Sequence, residues 1–131
     1  MLSSFIISQA DGRPMYLQIM EQVKRRVAVG DWQPGQPIPS IRQLAADLQV
    51  SVITVKRAYL ELEREGIIVT QHGKGSMVAP GADVGNRIRE EDLLTHLEQA
   101  VHAAEALGLN GEELQARLRE VAARLMKEAT R

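Results

Sequence analysis

Hydroxyl-bearing and basic residues are concentrated between positions 40 and 74, and their types suit the surface of a nucleic acid. Arginine and lysine bind phosphates and guanine, serine and threonine hydrogen-bond to phosphates or base edges, and branched apolar groups contact the thymine methyl. A helix N-terminus also binds phosphate. The candidate DNA-contacting residues are Ser40, Arg42, Ser51, Val52, Ile53, Thr54, Lys56, Arg57, His72, Gly73 and Lys74.

Each of these residues also has a simpler interpretation. Lys56 and Arg57 could be solvated charges on a helix surface, and the three hydroxyl residues could serve only as helix caps. His72 could be a metal ligand, but no second ligand lies near it in sequence, so a hydrogen bond from an exposed turn is the better interpretation. It is the order of the surrounding elements that favours DNA contact by the group as a whole.

Two short helices separated by a tight turn are predicted over residues 40–66. Ser40 has the spacing to Gln43 of a helix cap, and Ser51 has the same spacing to Thr54. Gly66 suits the left-handed position after a helix. The turn falls at Gln49-Val50, and an inward stripe of the second helix is expected at Val52, Val55, Ala58, Tyr59 and Leu62.

A β-hairpin is predicted after the second of these helices. The β-branched run 67–71 indicates a strand, residues 72–75 form a tip with two glycines that permit positive φ, and residues 76–78 return. Helix, turn, helix and hairpin follow one another as they do in a winged helix-turn-helix, which places its second helix in the major groove.

The residues before this segment are expected to support it. Residues 1–13 suggest a short strand or an ordered arm. Pro14 suits the start of a helix, Gly30 its end, and Trp32 is expected to pack against that helix from the loop that follows. The apolar stripe of this first helix consists of Tyr16, Ile19, Met20, Val23 and Val27.

Two further helices, joined as an antiparallel hairpin, are predicted in the last fifty residues or so. The acidic run 90–92 resembles a first helical turn, Gly108 ends the first of the two helices, and Asn110 caps the second together with Glu113. Short helices with apolar stripes need a partner, and a second copy of the chain is the default one. The predicted dimerisation residues are Leu93, Leu97, Val101, Leu107, Leu114, Leu118, Val121 and Leu125.

Composition excludes several classes of protein. The 131 residues contain no cysteine and have 44% hydrophobic content, enough for one modest domain with an appendage. No apolar run is long enough for a membrane span and no secretory signal is visible, so a cytoplasmic protein is expected. We find no catalytic constellation and expect no enzyme, cofactor or metal site. A small-molecule effector is possible but nothing indicates one, and His96 and His102 are interpreted as surface or interface residues.

The charge distribution leans weakly towards a DNA-binding N-terminal part. The net charge is −1 overall, but residues 1–80 carry nine Lys or Arg against seven Asp or Glu, and residues 81–131 carry seven against ten. We therefore expect residues 1–80 to form a DNA-binding domain and residues 81–131 a helical dimerisation region. The predicted fold class is mainly α with a small β-hairpin wing, a winged helix-turn-helix followed by an α-helical hairpin.

The sequence resembles the N-terminal domain of GntR-family transcription regulators over residues 14–79. The matching segments are P-M-Y-L-Q-I, G-D-W-Q-P-G-Q-P-I-P-S-I-R-Q-L-A, V-S-V-I-T-V-K-R-A-Y-L-E-L-E-R-E-G-I-I and T-Q-H-G-K-G-S-M-V. The resemblance implies a winged helix-turn-helix that binds palindromic operators as a dimer, with DNA contacts from Arg42, Ser51, Thr54, Lys56, His72-Gly73 and Lys74.

Val52 departs from the pattern of that family, which usually has an arginine that contacts guanine at this position. Val52 therefore either packs inward or meets a thymine methyl. The short two-helix tail resembles the YtrA subfamily, whose tails dimerise and whose members commonly repress transporter operons. The sequence thus predicts a homodimeric, sequence-specific repressor; the alternative is a winged-helix adaptor for another protein, without specific DNA binding.

Overall fold

A computed structural model of the chain describes residues 7–8, 12–81 and 83–129. Its elements are α1 (Met15–Ala28), α2 (Ile41–Leu48), α3 (Val52–Arg64), β1 (Ile68–Gln71), β2 (Gly75–Val78), α4 (Val84–Ala106) and α5 (Gly111–Ala129). The strands form an antiparallel hairpin in which Ile68 pairs with Val78. The predicted mainly α fold with a β-hairpin wing is confirmed. The strand or arm expected over residues 1–13 lies mostly outside the described residues.

The chain divides into two compact units, residues 1–89 and 90–131. The observed boundary lies later in the chain than the expected one between residues 80 and 81. Val84 and Ile88 on the first turns of α4 are buried and therefore belong to the core of the first unit. The assignment of DNA binding to one region and dimerisation to the other stays a prediction.

The core of the first unit is built from the apolar faces of its helices and from the hairpin strands. Trp32 is buried, as expected. Its backbone N–H donates to the carbonyl oxygen of Arg26 at 3.1 Å, and the Arg26 guanidinium lies over the indole ring. The buried apolar residues are Ile19, Met20, Val23, Val27, Trp32, Ile38, Leu44, Ala45, Val55, Ala58, Tyr59, Leu62, Ile67, Ile68, Val78, Val84 and Ile88.

The loop before α2 adds backbone pairing to the hairpin, which the sequence did not indicate. The N–H of Gly35 donates to Val78 O at 2.9 Å, and the N–H of Val78 donates to Gln36 O at 2.9 Å. The N–H of Ile38 donates to Ser76 O at 3.0 Å, and Pro37 lies opposite Met77. Residues 35–38 therefore hold strand β2 close to the start of α2.

The second unit contains the rest of α4 and all of α5. The predicted cap of α5 is confirmed, since Asn110 Oδ1 accepts from Glu113 N at 2.9 Å and Glu113 Oε1 accepts from Asn110 N at 3.0 Å. The prediction that residues 90–92 form a first helical turn is wrong. Helix α4 begins at Val84, because Val84 and Ile88, four residues apart, bury one face of its first turns.

The apolar side chains of the second unit are mostly exposed in the single chain. Ala104 is buried and Leu114 is half-buried near the turn between the helices. The two helices leave the remaining apolar side chains open to solvent, in keeping with the expectation that their stripes need a partner. These exposed residues are Leu93, Leu94, Leu97, Val101, Leu107, Leu118, Val121, Leu125 and Met126.

Candidate nucleic-acid interface

The two helix caps predicted in the helix-turn-helix are present. Ser40 Oγ accepts from Gln43 N at 3.0 Å, and Ser51 Oγ accepts from Thr54 N at 3.1 Å. The hydroxyls of Ser51 and Thr54 also hydrogen-bond to each other at 2.7 Å. Both helices thus begin at defined residues, and the side-chain hydroxyls at the start of α3 are engaged within the cap.

The turn between α2 and α3 rests on a residue in an uncommon conformation. Gln49 follows α2 with φ 56° and ψ 44°, in the left-handed region. Its N–H donates to Ala46 O, and the N–H of Val50 donates to Ala45 O at 3.1 Å. This turn sets the direction in which α3 leaves α2.

Val52 lies at the exposed start of α3, so the prediction that it joins the inward stripe is wrong. Its side chain is 48% exposed and that of Ile53 is 79% exposed, whereas Val55 is fully buried. Ser51, Val52 and Ile53 are all exposed, so the first turn of α3 extends past the core. Val52 thereby shares a surface with the predicted DNA-contacting residues.

The basic candidates of the helix-turn-helix are exposed. Arg42 on α2 and Lys56 and Arg57 on α3 are all exposed. Arg57 is held by α1: its guanidinium carbon lies 3.9 Å from the centre of the Tyr16 ring, and its Nη2 donates to the Tyr16 hydroxyl at 3.3 Å. The sequence had placed Tyr16 only in the apolar stripe of the first helix.

Tyr59 fixes α3 against the loop before α2. Its ring is buried, and its hydroxyl donates to Pro39 O at 2.7 Å. Burial raises the pKa of this phenol well above its usual value, so it stays protonated and can donate this bond. Sequence reasoning had assigned Tyr59 only to the core, because no local pattern pairs residues twenty positions apart.

The wing tip is exposed and its turn is defined by two glycines. His72, Gly73 and Lys74 are all exposed. Gly73 and Gly75 both have φ +79°, and the N–H of Lys74 donates to Gln71 O at 2.9 Å. A Cβ on Gly73 would meet no atom within 4 Å, so the requirement for glycine is conformational rather than one of space.

Polar contacts join the wing to α3. The Thr70 hydroxyl hydrogen-bonds to the Glu63 carboxylate of α3 and to the Ser76 hydroxyl across the hairpin, at 3.0 Å in the latter case. Lys24 of α1 and Glu65 form an ion pair at 2.5 Å near the end of α3. Helix α3 and the wing are therefore held together by side-chain hydrogen bonds as well as by the core.

Several other titratable residues have structural partners. Arg64 pairs with Glu61 at 2.8 Å. His96 and His102 are exposed, with Asp92 and Glu105 nearby on the same helix. Among the described residues no cluster of three or more His, Asp or Glu side chains could hold a metal ion. Within the described ranges, no helix is both long and apolar enough to cross a bilayer.

The arrangement of α2, α3 and the hairpin defines the class of the protein: it is a winged helix-turn-helix, DNA-binding regulator. Residues 15–78 match the family described as "Bacterial regulatory proteins, gntR family". The chain belongs to the GntR family of bacterial transcription regulators.

Two curated relatives and one solved structure match most of the chain. The uncharacterised HTH-type regulator YhcF of Bacillus subtilis is 34% identical over 78% of this chain and 84% of its own length. The HTH-type transcriptional repressor YtrA of the same organism is 33% identical over 89% and 91%. A GntR-family regulator from Listeria monocytogenes has a TM-score of 0.72 at 28% identity, covering 84% of this chain and 96% of that one.

These relatives extend beyond the helix-turn-helix into the C-terminal helices. The family resemblance expected from sequence, including the resemblance to YtrA, is therefore confirmed. The relatives are named as transcription regulators rather than enzymes. Which individual side chains contact DNA stays a prediction.

Proposed function

We propose that this protein is a homodimeric transcriptional repressor that binds a palindromic operator. The observation that carries the proposal is the exposed N-terminal surface of α3, a helix that Ser51 caps and that Tyr59 anchors to Pro39. Polar, basic and branched apolar side chains lie there together, and the wing tip adds a second exposed basic segment. This is the surface through which a winged helix-turn-helix contacts a major groove and the neighbouring backbone.

Within this surface we propose three kinds of contact. Arg42, Lys56 and Lys74 bind phosphates, together with Ser40 and the first N–H groups of α2. The start of α3 contacts base edges through Ser51, Val52, Ile53 and Thr54. Arg57, His72 and Gly73 complete the interface at its margins.

The second unit supports the homodimer in the proposal. Its exposed apolar side chains recur along both helices, and a single chain leaves them in water, which is unfavourable. A second copy offers the same stripes and so can cover them symmetrically. Such a dimer would place two α3 helices about 34 Å apart, or a multiple of that distance, on one face of the DNA.

Repression would follow because a dimer on an operator blocks RNA polymerase. The name of YtrA as a repressor supports this direction of control. A transporter operon as the target comes from the resemblance to that subfamily. The cytoplasm as the location was expected from the sequence, and it fits a family of DNA-binding regulators. If an effector exists, it would act by changing the spacing between the two DNA-binding units.

Binding of the full-length protein to its own upstream region tests the central proposal. Fluorescence anisotropy with a labelled upstream duplex should show saturable binding. An unlabelled, unrelated duplex of the same length should displace the labelled duplex only poorly. Equal competition by both duplexes would contradict sequence-specific binding to this region. A selection from random DNA would then give the half-site, its symmetry and the spacing.

Salt dependence tests the proposed phosphate contacts. Lys56→Ala or Lys74→Ala should each weaken binding and reduce the slope of log affinity against log salt by about one unit, since each phosphate contact releases counterions. Arg64→Ala is the matched control, because Arg64 lies on α3 but pairs with Glu61. Unchanged slopes in both lysine variants would remove these residues from the interface.

Light scattering during size-exclusion chromatography tests the dimer. Leu97→Lys or Leu118→Lys should convert the protein to monomers, because each puts a charge into the proposed apolar interface. Val29→Lys, at an exposed apolar position of the first unit, should leave it dimeric. A dimer that survives both leucine variants would show that another surface holds the two copies together.

A further inference from the structure

The first turn of the recognition helix presents two exposed branched apolar side chains. Val52 is 48% exposed and Ile53 is 79% exposed, and neither belongs to the buried core. They occupy the N-terminal positions of α3, which are the positions that approach base edges when such a helix enters the major groove.

Most polar side chains near this pair are already engaged, and the exposed Lys56 is the one proposed above to bind a phosphate. The hydroxyls of Ser51 and Thr54 hydrogen-bond to each other, and Ser51 Oγ also accepts from the Thr54 N–H. Arg57, one turn further on, lies on the Tyr16 ring and donates to its hydroxyl. The first turn of α3, residues 52–55, therefore exposes the methyl groups of Val52 and Ile53 and contains no cationic side chain.

Methyl groups match one feature of the major groove. Thymine carries a C5-methyl there, whereas guanine presents the acceptors O6 and N7, which require donors, and cytosine presents an N4 donor. Val52 and Ile53 have neither donors nor acceptors in their side chains. If these two side chains packed against guanine or cytosine, they would cover the polar edge of the base. The hydrogen bonds that this edge makes to water would then be lost without replacement.

We infer that Val52 and Ile53 determine operator specificity by packing against the C5-methyl groups of thymines in each half-site. This inference rests on the proposed function. It adds the class of base that the first turn of α3 recognises and the atom through which recognition occurs. The base pairs facing this turn are then A·T pairs with the thymine methyl directed towards α3.

Replacing single thymines by deoxyuridine tests the inference, because the change keeps base pairing and removes only the methyl. The probe is the duplex selected from random DNA with full-length protein. Removing a contacted methyl should weaken binding roughly fourfold, because this is the affinity that burial of one such group contributes. The loss should be roughly fifteenfold when the methyl is removed from both half-sites. At least one thymine in each half-site should show this loss.

Val52→Ala and Ile53→Ala identify the side chain that makes each contact. In the responsible variant, the thymine and deoxyuridine duplexes should bind with equal affinity, because the side chain and the methyl act as a coupled pair. Leu60→Ala is the matched control: Leu60 is a half-exposed apolar residue two turns further along α3, and its variant should keep the wild-type sensitivity to deoxyuridine.

The outcomes separate this inference from the function on which it rests. Specific binding with no sensitive thymine, or sensitivity that persists in both alanine variants, would overturn the methyl contact and leave the DNA-binding function standing. Absence of preference for any duplex over an unrelated one would overturn both.

Discussion

Tyr59→Phe removes one oxygen atom from the core, and its effect can be worked out from the structure. The Tyr59 hydroxyl donates to Pro39 O at 2.7 Å, and the Tyr59 side chain is buried. The substitution deletes that hydrogen bond and leaves a half-buried carbonyl without this donor, which costs about 1–2 kcal/mol of the free energy of unfolding at pH 7. The ring itself keeps its packing.

The same residue predicts a distinctive dependence on pH. Burial raises the pKa of the Tyr59 phenol in the folded protein, whereas the unfolded chain releases this proton near pH 10. The contribution of the protonated Tyr59 phenol to the free energy of unfolding is therefore fully present below about pH 10. Above that pH it is lost, at up to about 1.4 kcal/mol per pH unit. Phenylalanine has no phenol proton to release, so the difference in the free energy of unfolding between wild type and Tyr59→Phe should disappear by roughly pH 11–12.

Urea denaturation followed by circular dichroism measures both effects. Wild type and variant are compared at one protein concentration, since dimerisation would couple stability to concentration. Tyr16→Phe is the control; its hydroxyl accepts a longer hydrogen bond, 3.3 Å, at an exposed site, so about 0.5 kcal/mol or less is expected. A Tyr59→Phe protein as stable as wild type at pH 7, or a gap that stays constant with rising pH, would refute the reasoning.

Two other changes test how α3 begins and ends, by the same denaturation assay. Ser51→Ala should cost about 1 kcal/mol, because it leaves the Thr54 N–H without its cap; a loss no larger than that of Gln71→Ala, on the exposed wing, would contradict the cap. Gly66→Ala should cost about 1–2 kcal/mol, because φ is +74° there. Gly111→Ala, at a helix start with open space around it, is the matched control and should be neutral or stabilising; equal effects at the two glycines would show that backbone conformation is not the cause.

Much of the fold follows from local sequence signals. The caps at Ser40, Ser51 and Asn110 and the left-handed Gly66 were predictable, because each depends on residues within a few positions of one another. The order of helices and hairpin strands followed from periodicity. These local signals also led to the class of protein.

The parts that could not be predicted depend on contacts between distant residues. The hydrogen bond from Tyr59 to Pro39 and the stacking of Arg57 on Tyr16 join residues twenty and forty-one positions apart. The pairing of residues 35–38 with β2 is of the same kind. Such contacts have no signature in spacing, although they determine how α3 and the wing are held.

Two of the wrong expectations, those for Val52 and for residues 90–92, have a common origin in helix ends. Val52 fits the apolar spacing of α3, but the stripe is covered only from Val55 onwards, so periodicity alone placed it in the core. The acidic run 90–92 resembles a first turn, yet burial of Val84 and Ile88 extends α4 towards the N-terminus. Periodicity indicates which residues share a face, but tertiary contacts decide where that face is covered.

Because Val52 and Ile53 are exposed, the residues proposed to determine base specificity differ from those that stabilise the domain. Val55 is buried in the core and Tyr59 anchors α3 to Pro39, so changes at these two residues cost stability before they alter base recognition. Substitutions at 52 and 53 remove little buried surface and should change the free energy of unfolding by no more than about 0.5 kcal/mol. In the proposed interface, base preference at this turn would therefore change through these two residues while the rest of the domain stays the same.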